Sequence, residues 1–565
     1  MNLRKFSAAL LAVAMMGSLA ACGSKNSNSS SASSSSTTKL DADQTLTVDL
    51  RAEPSTMDPN KCSDFYGITV LMNTMENLTR LEENKDGSNT VKPAGAKSWE
   101  TSDDGTVWTF HLRDNKWSDG KAVTAQDYEY GIKRVLDPKV GSQLSYMLTP
   151  IKNAEQVNAG KLPLDQLGVK ATDDKTLEIT LERKTPYFLA LTYSNSMFPC
   201  REDFVTKYGE KFGADVDKLV SNGPFTITDW VHNSQIVIKK NPNYWDKKSV
   251  KLETVKYKIL TDNNAVYNSF DNGELDVLSN CTVPEWVKRF TAKSGVKEVK
   301  YTQPSTEYMF YNCNNKLFSN VHIRRAFTLA IDREEIVKTI YHGVQKAAYS
   351  WIPPGVSSGD LGDYRDQVKS EPVKELMKQY TDPKAELLAG MKELGLGSDP
   401  STVKVTFSLG GTSQVQRDYA EYLQQTFQKD LGIKFDIDYN EWPTFVSKVN
   451  SGDYEMADEV WTVDYNDPDA MLSIMTSNST AVPTNWKDAK YDALVKQAEA
   501  ETDEAKRVEL YKQAEDLFIV EDTVLTPVTN RMNYRFNREY VKNLTSNYFA
   551  ENSSSLKYVY ISGRK

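Results

Sequence analysis

Between residues 403 and 437 the hydrophobic period of the chain changes twice. Val403, Val405, Phe407 and Leu409 alternate with polar neighbours, as one face of a half-buried strand requires. Tyr419, Leu423, Phe427 and Leu431 then recur every fourth residue, a helix stripe that Gly432 stops. Ile433, Phe435 and Ile437 alternate again. Strand, helix and strand of these lengths predict a βαβ unit with parallel strands. Sheets of that kind bind ligands beyond the carboxyl ends of their strands. Trp442 lies just past the second strand, and a further strand over 456–463 delivers Trp461 and Asp464 at its end. Nearer the N-terminus, "DDGTVWTFHLR" reads as a turn followed by a strand with Trp108, Phe110 and Leu112 on one face. "VTAQDYEYGIKRVL" opens a helix, with Thr124 and Asp127 at capping-box spacing. The texture beyond the N-terminus is mixed α and β, without an internal repeat.

The first residues break this texture. "MNLRKFSAALLAVAMMGSLAA" has a basic start, a short apolar run and small residues after it, the order of a cleavable export signal over 1–21. "LAAC" ends on Cys22 and resembles the lipobox of bacterial lipoproteins, which implies that Cys22 becomes a lipidated N-terminus. "GSKNSNSSSASSSSTT" follows, with no large apolar side chain to pack. A Ser-rich tether over 22–44 would reach ~25 Å from a bilayer. No other run is long and apolar enough to span a membrane.

Composition narrows the classes. Hydrophobic residues make up 39% and charged residues 26%, which suits a large folded core. The length beyond the tether corresponds to roughly three domains. Losing the signal removes two positive charges and takes the formal net charge from −9 to −11, the wrong sign for a nucleic-acid partner. Cys62, Cys200, Cys281 and Cys313 have no CxxC spacing and leave three disulfide pairings open. The four histidines, His111, His232, His322 and His342, are scattered, without HExxH. No metal or cofactor is expected. A nucleophile elbow, a phosphate loop and a dinucleotide fingerprint are all missing, so the chain does not read as an enzyme.

"WTVDYNDPDAML" carries three aspartates in six residues. As a calcium loop it fails, with Asp469 where glycine is needed and Met475 where glutamate is needed. Asp467 suits a helix N-cap, Pro468 the first helical position, and Asp469 the helix dipole. Asp464 is left over, at a strand end beside Trp461.

This stretch also belongs to a series. "EPSTMDPNK", "WTFHLRDNKWSDGKAVTAQDYEYGIKR", "SNGPFTITDW" with "NPNYWD", "FDNGELDV", "HIRRAFTLAIDREEIV" and "WTVDYNDPDAML" occur in the order found in one family. The chain resembles the extracytoplasmic oligopeptide-binding proteins of ABC importers, within the dipeptide, oligopeptide and nickel receptors. The resemblance implies an α/β, two-lobed periplasmic-binding-protein-like fold with three domains and a hinge, its mixed sheets flanked by helices. Lobe I would comprise 45–75, 200–301 and 523–565, an inserted domain 76–199, and lobe II 302–522. It implies a monomer that closes on an extended peptide at the outer face of the cell membrane and docks on a permease driven by cytoplasmic ATPases. Asp464 would pair with the ligand's α-ammonium group. The peptide backbone would meet Trp461–Thr462 and the loop Asp64–Phe65, with Trp442, Trp461, Tyr146 and Tyr308 lining side-chain pockets. Relatives place basic residues to meet the ligand's carboxylate, but the comparable positions here are Gln416, Val449, Asn450 and Asp458. An oligosaccharide receptor or a narrow peptide-pheromone receptor on the same scaffold remain open readings. Nickel is disfavoured by the sparse histidines.

Overall fold

The computed structural model describes residues 39–84, 89–411, 413–479, 481–545 and 555–564. The export signal, Cys22 and the Ser-rich stretch lie outside the described residues. The folded body already includes residues expected in the tether: Asp41 receives the Gly563 and Arg564 amides at 2.9 and 2.7 Å, and Gln44 is buried against Ile561.

The periodic stretches fold as their spacing predicts. Lys404–Gly410 and Lys434–Asn440 pair in parallel, and helix Gln414–Asp430 connects them. Ser413 and Gln416 form a capping box at the start of that helix, and Gly432 follows its end at φ +79°. Tyr419, Leu423 and Phe427 are buried on one stripe, with Phe427 and Phe407 both packed on Phe435. Trp108, Phe110 and Leu112 share one face of strand Val107–Leu112, in a four-stranded sheet with Ala96–Thr101, Thr176–Thr180 and Val169–Asp173. Helix Ala125–Leu136 opens on the expected box, the Asp127 carboxylate accepting from the Thr124 amide at 2.9 Å.

One mixed sheet organises the rest. Among the described residues it has eleven strands, with Val296–Tyr311 and Leu525–Arg538 paired antiparallel at its centre. On one side lie Met456–Thr462, Lys404–Gly410 and Lys434–Asn440. On the other lie Val277–Leu278, Thr45–Leu50, Thr254–Ile259, Gln235–Lys240 and Phe225–Val231. The two halves therefore communicate through two long strands.

The register of those strands shifts twice, between Thr302 and Thr306 and again between Glu307 and Tyr308, and the first break is the larger. Thr302 faces Met532 and Thr306 faces Asn530, so Gln303, Pro304 and Ser305 stand opposite the single residue Arg531. Pro304 has no amide to donate to a ladder, which is why the bulge falls there. The Asn530 side-chain amide fills the gap, donating to the Ser305 carbonyl and the Thr306 hydroxyl at 3.1 Å each. The Pro304 carbonyl instead accepts the Val463 amide at 2.9 Å. The four cysteines among the described residues are free thiols, Cys62, Cys200 and Cys281 being buried.

Candidate functional site

Strand Met456–Thr462 has one edge that is only partly used. Its pairing with 296–311 continues through Thr462, whereas its pairing with Lys404–Gly410 stops at Asp458. Residues 459–462 thus offer free backbone groups along one edge, a template for an added extended chain. Val463, tied to Pro304, turns the chain out of the sheet into the loop that carries Asp464.

That loop is held by a buried ion pair. Asp467 receives both terminal nitrogens of Arg507, at 2.6 and 2.7 Å, and its Oδ1 also accepts the Asp469 amide at 2.9 Å. The N-cap expected at Asp467 is therefore corrected: Asp467 stands one residue before the cap and is held by a bidentate salt bridge. The helix that follows spans only Asp469–Leu472, with Pro468 in the cap position. Asp469 sits in its first turn but is buried, accepting from Tyr465 Oη at 2.6 Å and Tyr511 Oη at 3.4 Å. Burial, then Glu499 and Asp467, push its carboxyl up to about 7, so the helix dipole accounts for only part of its surroundings.

Asp464 projects into a cavity of about 160 Å³ shared with Tyr146, Glu155, Arg183, Tyr187 and Glu499. Burial pushes its carboxyl up to about 6, against the opposing pull of the Tyr146 hydroxyl and the Trp461 indole. No ion pair to Asp464 forms among the described residues; Arg183, the cation in the cavity wall, is salt-bridged to Glu499. Tyr146 is half exposed, yet burial near Asp464 drives its hydroxyl well above the ordinary phenol range. One wall comes from residues 146–187 and the other from 464–499. The Arg183–Glu499 bridge and the stacked rings of Tyr187 and Tyr465, 5.0 Å apart, join them.

A second cavity, of about 500 Å³, brings Phe65 and Thr462 together with residues of the central strand pair, Tyr301, Gln303, Arg531 and Asn533. Phe65 is 47% exposed there. Asp64 caps helix Phe65–Thr74 through the Gly67 amide at 2.8 Å and binds Ser55 Oγ at 2.6 Å. Its carboxylate is spent on the local fold. A larger cavity of 840 Å³, lined by Lys61, Arg134, Phe212, Trp230 and His232 among others, holds none of the expected residues and neither the open strand edge nor Asp464.

The remaining aromatic expectations divide. Trp461 is partly buried, and its indole nitrogen lies close enough to the Asp464 carboxylate to act on it without closing a hydrogen bond of good geometry. Trp442 is 55% exposed, stacked on Phe445, and lines neither of the two cavities. Tyr308 is a correction: it is fully buried against Trp351, with its hydroxyl on Glu459 at 3.2 Å, and belongs to the core. Strand alternation places it on the inner face but does not distinguish core from cleft. Asp458, expected near the ligand's path, is buried as well. It receives Tyr419 Oη at 3.1 Å, and burial with the neighbouring Glu307 carboxylate holds its carboxyl well above the usual range. Arg183, Glu499, Tyr187, Arg507 and Arg531 carry no sequence signal that singles them out; Arg183 and Glu499 are 316 positions apart.

Two lobes joined by a pair of strands, with an acceptor for a cation and an open strand edge between their segments, define a solute receptor. The chain belongs to the bacterial extracellular solute-binding proteins, family 5: the model described as "Bacterial extracellular solute-binding proteins, family 5 Middle" matches residues 90–482. An oligopeptide-binding protein of Bacillus subtilis is 36% identical over 486 residues, covering 84% of this chain and 86% of its own. A dipeptide-binding protein of the same organism is 34% identical over 536 residues, covering 94% of each. The substrate-binding domain of an oligopeptide ABC transporter from Bacillus anthracis, a solved structure, is similar with a TM-score of 0.77 at 33% identity, over 93% of this chain and 100% of that one. No helix among the described residues is long and apolar enough to cross a membrane.

Replacing Arg507 with Met should strip Asp467 of its partner inside the protein. Such a loss costs about 3–5 kcal/mol, and should appear as a lower denaturant midpoint. An unchanged midpoint would show that the loop does not depend on this pair.

Proposed function

We propose that this protein captures oligopeptides outside the cell membrane and delivers them to an ABC permease, held at the membrane surface by a lipid on Cys22. The observation that carries the ligand class is Asp464. A half-buried carboxylate without a cationic partner is unfavourable unless it stays protonated or receives a cation. A peptide supplies that cation as its α-ammonium group, and its backbone suits the free edge at 459–462. An oligosaccharide would leave the carboxylate uncompensated. The names of the relatives, oligopeptide-binding and dipeptide-binding, support the same class.

Closure follows from where the contacts lie. Thr462 and Asp464 come from one half of the sheet, Phe65 from the other, and Tyr146 from the inserted segment. A ligand touching all of them binds the closed state more tightly and shifts the population towards it. The bulge at 303–305 is the natural hinge. On that reading the return crossing falls near Asn530–Met532, several residues beyond the boundary at 523 expected from the sequence.

Three outcomes follow. Calorimetry on a mixed peptide pool should show N-acetylation abolishing binding, and Asp464→Asn weakening it by about two to three powers of ten, the equivalent of ~3–5 kcal/mol. Equal affinity for acetylated and free peptides would move the ammonium site elsewhere, and co-purified hexose oligomers in a native mass spectrum would replace the peptide reading. The pH dependence has a definite sign. Asp464 must be ionised to take an ammonium group, so with its carboxyl near 6 affinity should be about tenfold weaker at pH 5 than at pH 7. The empty protein should move the opposite way: a carboxyl raised by burial destabilises the fold when ionised, so stability rises as pH falls through about 6. Asp464→Asn should flatten the affinity profile and remove only its own part of the stability change, leaving that of Asp469 and Glu459, whose carboxyls burial pushes up to about 7. Finally, Cys22→Ala should release a folded protein from the membrane fraction and abolish lipid labelling; equal labelling of both forms would refute the anchor.

A further inference from the structure

Residues 239–258 run from the end of strand Gln235–Lys240 through a connection into strand Thr254–Ile259. They hold seven lysines against two carboxylates, Asp246 and Glu253. The chain as a whole is acidic, with a formal net charge of −9, so this local excess runs against the overall balance. Alternation brings the lysines to water. Ile236, Ile238, Val255, Tyr257 and Ile259 fill the core on one face of the sheet, which leaves Lys239, Lys256 and Lys258 on the other. Thr254 stands opposite Lys239, so Lys239 and Lys256 are diagonal neighbours across the two strands. In the connection Val250 and Leu252 are buried, while Lys247, Lys248 and Lys251 are exposed.

The neighbouring acids are already engaged. Glu253 holds Lys240 and Glu274 holds Lys258, each at 3.1 Å, and Asp246 holds the buried Lys557 at 3.0 Å. Asp43 lies in the electrostatic reach of Lys256 but is bound by Arg564 at 3.0 Å. Asp229, on the outermost strand, accepts from the Gln235 side chain at 3.0 Å. Lys247 and Lys251 donate to the carbonyls of Pro242 and Lys248, neutral groups that leave their charge uncompensated. No ion pair to Lys239, Lys247, Lys248, Lys251 or Lys256 forms among the described residues.

The patch adjoins the root of the tether. The chain enters the folded body at Leu40, and the Gln44 carbonyl accepts the Glu253 amide at 3.0 Å. Thr45 and Thr47 then lie in register beside Thr254 and Lys256. Strand Thr254–Ile259 is five places along the sheet from Met456–Thr462, whose open edge faces the expected ligand, or ~24 Å at the ordinary strand spacing.

We infer that this lysine face rests on anionic phospholipid headgroups of the membrane that carries the anchor, with lobe I against the bilayer and the cleft strands clear of it. Lysines attract such headgroups without needing fixed geometry, and a short flexible tether keeps the body within the range where the attraction acts. The inference rests on the anchor reading of Cys22 and adds an orientation to it.

The test uses the chain from residue 22 onward with Cys22→Ala, so that no attached lipid contributes. It is sedimented with vesicles of phosphatidylcholine alone, or of phosphatidylcholine with one third phosphatidylglycerol. This parent is compared with a patch variant (K239Q, K247Q, K248Q, K251Q, K256Q) and with a control that loses five exposed lysines elsewhere (K161Q, K170Q, K316Q, K392Q, K429Q). The parent should bind the anionic vesicles about tenfold or more tighter than the neutral ones, and high salt should erase the preference. The control should match the parent, and the patch variant should lose the preference while keeping the parent's denaturation midpoint. A preference that survives in the patch variant overturns the inference, as does one that vanishes equally in the control. Acylation footprinting of the parent on anionic vesicles needs no patch substitution: protection should fall on the patch lysines, and protection elsewhere refutes this face. Failed lipid labelling at Cys22 would remove the anchor and leave the vesicle result standing. A parent that binds both kinds of vesicle equally, or neither, removes the lipid contact and turns the patch over to a protein partner.

Discussion

The two halves of this protein are joined by a pair of antiparallel strands, and that pair cannot keep its register. Pro304 lacks the amide that a regular ladder would use, so three residues bulge against one. The local consequences reach both cavities. The freed Pro304 carbonyl takes the Val463 amide, which sets the direction of the loop carrying Asp464. Asn530 closes the gap with its side chain and keeps the two strands in contact. Arg531 is left opposite the bulge. On the proposed hinge reading, the place where the sheet bends is also the place from which the Asp464 loop is positioned.

Buried carboxylates do two different jobs around this frame. Asp467 with Arg507, and Asp58 with Arg134, are bidentate pairs whose partners come from distant segments, and they hold loops in place. Asp469 and Asp458 are buried, and Asp464 half-buried, without such pairs, and removal from water raises each of them. A raised carboxyl stores unfavourable free energy at neutral pH that a ligand cation can relieve at Asp464, where a cavity gives access. Asp458 and Glu307 have hydroxyl donors and no opening, so they belong to the core.

Much of this was legible in the sequence, and the exceptions share one physical reason. The βαβ unit was visible because alternation and the four-residue stripe are local properties of consecutive side chains. Asp464 emerged because helix initiation explained its two neighbours, and the family resemblance then gave it a role. Tyr308 was misplaced because a strand's inner face looks the same whether it meets a cleft or Trp351. Asp64 was expected to meet a ligand through its backbone, and the sequence did not show that its side chain caps the helix at Gly67 and binds Ser55. The Arg183–Glu499 bridge and the bulge opposite Arg531 depend on which residues meet across hundreds of positions. Periodicity carries no information about that.

The arrangement also bears on breadth of recognition. A cleft specifies what it contacts with directed polar groups. On the proposed reading those groups address features common to every peptide: an ammonium at Asp464 and backbone amides and carbonyls along 459–462. The side-chain walls are less demanding. Phe65 offers an exposed ring, which packs against many shapes, and the 500 Å³ cavity mixes apolar positions such as Leu46 and Val48 with the short polar groups Ser279 and Asn280. Discrimination between residues of similar size in such a space is worth only about 1–3 kcal/mol, whereas an unpaired buried charge costs more. On that reading the balance of those two magnitudes favours a receptor that demands a free peptide N-terminus and tolerates variation beyond it.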